Sequence, residues 1–110
     1  MKQYVITDLA PEETKEIATY LEKKVGSSGL MDFFWIPLEP SLYTDIQKAH
    51  ADCAPICFPL EMDMDQITCE FFLRTRKKVA CDCMGYATYK QIEWVLSFLD
   101  TMLKDLNIHP

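Results

Sequence analysis

The segment His50-Ala51-Asp52-Cys53-Ala54-Pro55-Ile56-Cys57 gathers one imidazole and two thiols within eight residues. On a helix His50 and Cys53, three apart, share a face. Such a set can hold a borderline-soft metal such as zinc, or an imidazolium can lower a thiol pKa and make the sulfur a nucleophile. A structural zinc takes four ligands, whereas His50, Cys53 and Cys57 are three. The plainer alternative is separate packing cysteines beside a surface histidine.

Cys81-Asp82-Cys83 is the second concentration of sulfur. On a strand, residues two apart point the same way, so the two thiolates could converge. A soft-metal site recruiting Cys53 or Cys57 to Cys69, Cys81 and Cys83 is one reading, though no standard cluster spacing is matched. Core packing is the other, because the strand register below places Cys69, Cys81 and Cys83 on an apolar face. There a thiol acts as a small hydrophobe and its pKa rises.

Other chemistries find less material. Glu61-Met62-Asp63-Met64-Asp65 offers carboxylates to a hard cation, but lacks the glycine and ligand ladder of a calcium loop, and reads better as a solvated strand end and turn. The close glycines Gly26 and Gly29 follow a helix instead of preceding one, which disfavours a phosphate loop. No serine sits in a Gly-x-Ser-x-Gly elbow, and the second histidine, His109, is the penultimate residue. These features lean away from an enzyme, and they call for no organic cofactor. Arg74, Arg76, Lys77 and Lys78 hold four of the eleven basic residues, as a contact for phosphate or an acidic partner or as a charged guard on a hairpin tip.

The chain that must position these groups has 110 residues, 49% hydrophobic and 25% charged, the size of one domain with one core. Net charge is −6, the wrong sign for coating nucleic-acid phosphates, so no nucleic-acid partner is expected. The apolar run Phe33 to Ile36 falls far short of the roughly 18–20 residues of a membrane span, and no membrane association is expected. Acids enter the N-terminal stretch before any apolar signal region forms. With five cysteines, an odd number, this leads to the expectation of a reducing, cytoplasmic setting with free thiols.

The expected class is α+β, a two-layer α/β sandwich in the order β-α-β-(α)-β-β-β-α. Tyr4 to Thr7 reads as a strand, and Pro11-Glu12-Glu13 opens a helix with Ile17, Ala18, Leu21 and Val25 on one face and Gly26 as its stop. Met31 to Leu38 is apolar on both alternating faces and reads as an interior strand, completing an N-terminal βαβ unit. A weaker helix carries Leu42, Ile46, Ala49 and Cys53 and ends before Pro55.

From Ile56 the period becomes two. A turn at Met64-Asp65 sets Ile56, Phe58, Leu60 and Met62 against Leu73, Phe71, Cys69 and Ile67. A second turn at Arg76-Lys77-Lys78 sets Val79, Cys81 and Cys83 against Thr75, Leu73 and Phe71. The terminal helix from Thr88 presents Ile92, Val95, Leu96, Leu99, Leu103 and Leu106 to that sheet face.

Apolar side chains then remain beyond what one core needs. Phe72, Met84 and Tyr86 fall on the outer sheet face, and Trp94, Phe98 and Met102 form an edge of the last helix. Their composition fits a protein interface, and the equal alternative is that the N-terminal helix covers the second sheet face. The leading expectation is thus a small non-enzymatic interaction domain, homodimeric through one of these patches or bound to another protein. Two alternatives stand beside it: a thiol or transition-metal protein using His50, Cys53 and Cys57, and a small-ligand domain with a pocket drawing on Trp35, Tyr43 and His50.

Overall fold

A computed structural model describes residues 2–109. Its strands are β1 (Gln3–Ile6), β2 (Phe33–Pro37), β3 (Ile56–Met62), β4 (Ile67–Glu70), β5 (Phe72–Thr75) and β6 (Gly85–Tyr86). Its helices are α1 (Pro11–Val25), α2 (Asp45–Ala49) and α3 (Tyr89–Asp105), with 3-10 turns at Pro40–Leu42 and Ala51–Cys53. The class is α+β with a mainly antiparallel sheet, as the sequence implies.

β3 is the centre of the sheet. β2 pairs along one side of it, and β4 and then β5 pair along the other. β1 flanks β4 and β6 flanks β5. Every one of these pairings is antiparallel, and β1 and β2 stand at opposite edges. The expected N-terminal βαβ unit is therefore corrected. Hydrophobic periodicity finds a strand, a helix and a strand, but edge pairing decides direction, and α1 here links two edges that run oppositely.

The turn at Met64-Asp65 is where the spacing puts it, closed by Asp63 N–H donating to the Gln66 carbonyl at 2.8 Å. Leu60 faces Cys69 and Met62 faces Ile67, but Ile56 faces Thr75 instead of Leu73. Between β4 and β5 the chain thus inserts two extra residues at a bulge around Phe71. A shift of two keeps every side chain on its face, so the core assignment survives the slip.

The third strand of the expected meander is reduced to Gly85–Tyr86, and residues 76–84 form an irregular loop. Val79, expected in the core, is 98% exposed. Five successive residues, Arg76 to Ala80, are exposed, and a charged tip without glycine closes no tight hairpin.

One sheet face is covered by α1 and α3. Ile17 and Leu21 of α1 and Val95, Leu99, Met102 and Leu103 of α3 pack with Phe34, Ile36, Ile56, Phe58, Leu60, Ile67, Cys69 and Leu73. Capping sets the helix starts. Thr88 accepts from Gln91 N–H, and the Gln91 side chain accepts from Thr88 N–H. Pro11 occupies the first turn of α1, where Glu13 accepts from Ala10 N–H at 2.8 Å.

The weak helix of the sequence becomes the five-residue α2 between two 3-10 turns. Ile46 is exposed while Gln47 is buried. The reversal has a polar cause: the Gln91 amide donates to Gln47 Oε1 at 3.0 Å and to the Leu42 carbonyl at 2.9 Å, tying this segment to α3.

The second face of β2 is the other departure. Phe34 and Ile36 enter the core, but Phe33 and Trp35 are half-buried on the face without helices, so β2 is an edge strand covered on one side only. Gln91→Leu should lower the free energy of unfolding by about 2 kcal/mol by stranding the Leu42 carbonyl and Gln47. Urea denaturation measures it, and an unchanged midpoint would contradict the role given to this amide.

Candidate metal centre

His50 ends α2 and begins the 3-10 turn that carries Cys53, so its ring and the Cys53 thiol lie on one side of a tight one-turn segment. That turn is fixed to the sheet from below, with the Thr75 hydroxyl donating to the Cys53 carbonyl. Ile56 N–H donates to the Tyr43 hydroxyl at 3.0 Å at the start of β3. The 76–84 loop folds back over this corner and is closed by Met84 N–H donating to the Cys81 carbonyl at 3.0 Å.

The result is a convergence of His50, Cys53, Cys81 and Cys83, whose ligand atoms all lie within 4.8 Å of one another. His50 Nδ1 is 2.9 Å from Cys81 Sγ, and Cys53 Sγ is 3.7 Å from Cys81 Sγ. A tetrahedral zinc with Zn–S bonds of about 2.3 Å separates two sulfurs by about 3.8 Å. The Cys53–Cys81 distance already has that value. The His50–Cys81 contact is a hydrogen bond, which an inserted ion would part to about 3.6 Å. Cys53 and Cys83 are buried and His50 and Cys81 half-buried, so the group opens to solvent on one side.

Electrostatics separate the five thiols, all of them free. Hydrogen bonding from the Cys83 backbone, with further bonds from Cys83, Cys53 and His50, brings Cys81 down to about 7. Burial pushes Cys83 up to about 12, Cys57 to about 11 and Cys69 to about 12. Beside the cluster Lys78 Nζ meets Asp52 Oδ2 at 3.3 Å, an exposed pair of little energetic weight.

Of the residues expected as metal ligands, His50 and Cys53 belong to the group and Cys57 does not. Strand alternation is the reason: Ile56 points into the core, so Cys57 points to the opposite sheet face, where it pairs with Arg74 and its thiol lies 3.7 Å from the Pro55 carbonyl. The third and fourth donors come from Cys81 and Cys83. The two-apart spacing is the sequence signal for them, and on a strand the same spacing fits core packing equally well.

The expected interface residues divide. Phe72 and Tyr86 lie on the open sheet face, with Tyr86 51% exposed. Met84 is half-buried against the core. The edge expected of Trp94, Phe98 and Met102 is corrected, because Met102 is fully buried and Trp94 stacks on Phe58 at 6.3 Å with Phe98 tilted beside it. The burial axis of α3 runs through Gln91, Val95, Leu99 and Met102, rotated from the stripe the leucines suggest.

Of the side chains expected to line a ligand pocket, Trp35 packs on Phe33, Tyr43 bonds the β3 backbone and His50 faces Cys81. A hollow of about 670 Å³ lined by Lys2, Phe71, Ala87, Tyr89 and Ile92 contains none of the three. Among the described residues no helix is long and apolar enough to cross a membrane. Compared with protein-family models, with curated proteins and with solved structures, the chain matches none.

In metal-free protein, iodoacetamide should modify Cys81 first, at a rate rising through pH 7 as its thiolate forms and levelling above. Cys57 and Cys69 should resist until far higher pH. Peptide mapping reads this, and labelling of Cys57 as fast as Cys81 would contradict it.

Proposed function

We propose that this protein binds one zinc ion through His50, Cys53, Cys81 and Cys83, and that the metal serves structure. The observation that carries the reading is the meeting of four donor atoms, from segments some thirty residues apart, within 4.8 Å. Imidazole with three thiols is a structural zinc set, and four protein ligands leave no coordination position for substrate water. The donor chemistry also disfavours magnesium and calcium, which take oxygen.

The structural role follows from where the ligands sit. Residues 76–84 contain no helix or strand. A metal bond from Cys81 and Cys83 to the 50–53 turn closes a long chain loop and replaces the pairing that the loop lacks. Binding to the folded state alone stabilises it by about 4 kcal/mol when free zinc exceeds its Kd a thousandfold.

Elemental analysis of protein purified without a chelating tag should find about one zinc per chain. Cys81→Ser and Cys83→Ser should each remove most of it and lower Tm, whereas Cys57→Ser should retain it. Substoichiometric metal in the wild type, or loss in Cys57→Ser with retention in Cys81→Ser, would overturn the proposal.

A further inference from the structure

The sheet face opposite the helices is built from aromatic rings and cations. Phe33 and Trp35 meet edge to face at 5.0 Å, and Phe72 and Tyr86 at 5.2 Å. The Arg76 guanidinium lies 5.9 Å from the Trp35 ring, Arg74 lies 4.8 Å from Phe72, and the Lys2 ammonium lies 5.5 Å from Tyr86. Both arginines of the chain are here. Beneath them Cys57 and Pro59 are already buried, although no helix covers them.

Charge on this face is arranged by end. Along the bulged strand Glu70, Phe72 and Arg74 share the outer face in that order, with Arg76 beyond. On β3, Glu61 lies at the acidic end, opposite Thr68, and Cys57 lies at the basic end, opposite Arg74. The two ends are separated by about 13 Å of strand.

We infer that this face docks on a second copy of the same chain, as an antiparallel stack of two sheets about a two-fold axis that crosses the strands at Phe72. That operation lays Phe72 on its symmetry mate and Glu70 on Arg74. It also brings Arg76 to the end that carries Thr68 and Glu61. An isologous interface needs a self-complementary patch, and a face that is acidic at one end and basic at the other, with aromatics between, is one. Sheets stack face to face at about 10 Å in just this aligned manner. Arginine and aromatic side chains are the groups that dominate such interfaces.

A single-stranded nucleic acid also takes aromatic and cationic platforms. It is disfavoured here by Glu61 and Glu70 on the face and by the net charge of −6. The inference stands independently of the metal.

The test is a charge exchange read by sedimentation velocity across roughly 1–100 µM of the 110-residue chain. Wild type should reach the mass of two chains. Arg74→Glu/Arg76→Glu and Glu61→Arg/Glu70→Arg should each sediment as one chain, and an equimolar mixture should regain the two-chain mass, because both contacts become attractive again in the mixed pair. Far-UV circular dichroism and metal content of each variant should match wild type. Should either fail to fold, Tyr86→Glu, at an exposed rim ring, should give the same dissociation. Single-chain mass of the wild type throughout, or two-chain mass in either reversal alone, would overturn the proposal. So would a single-chain wild type that binds a fluorescein-labelled 12-nucleotide oligouridine in an Arg74- and Arg76-dependent way.

Discussion

The pairing of β3 on both its sides is the constraint from which the rest of this molecule is measured. A strand bonded to β2 along one edge and to β4 and β5 along the other has no freedom to slide or rotate. Its alternation sends Ile56, Phe58 and Leu60 under the helices and Cys57, Pro59 and Glu61 to the other side. The same alternation divides the cysteines. Cys57 is carried away from the candidate metal centre, while Cys53, just before the strand, remains on the core side and is gripped through its carbonyl by Thr75.

The bulge at Phe71 shows how this constraint is reconciled with chain length. Two extra residues let β4 keep its tight turn to β3 while Thr75, the last residue of β5, stands level with Ile56, the first residue of β3, beside the Cys53 turn. Without them Leu73, not Thr75, would stand beside Ile56, and the hydroxyl that anchors the 50–53 turn would be lost. The open face benefits as well, because the shift of two keeps Glu70, Phe72 and Arg74 in one outward row.

Much of this was legible in the sequence, and the failures have physical causes. α1 with Pro11 and Gly26 at its ends, α3 with its Thr88 cap, and the turn at Met64-Asp65 rest on local signals that tertiary context had no reason to override. Direction of pairing is not local, which is why β1 and β2 read as a parallel unit. Ile46 and Gln47 exchanged places because a buried amide pair with Gln91 outweighs one aliphatic side chain, and that partner lies 44 residues away. Cys81 and Cys83 carry a strand pattern because residues two apart mimic alternation whether or not a ladder exists. Half of the candidate metal centre, His50 and Cys53, is legible from spacing, and the other half only from where the loop returns.

The chemistry of this corner depends on the identity of the four ligands. X-ray absorption at the zinc edge of the purified protein tests it most directly. Three sulfurs at about 2.3 Å and one nitrogen at about 2.0–2.1 Å are predicted for wild type, and one sulfur fewer for the fraction of zinc that Cys81→Ser takes up when reconstituted with excess metal. A first shell with two sulfurs and added light atoms, or one unchanged by Cys81→Ser, would contradict the assignment of this corner as a closed His-Cys-Cys-Cys centre.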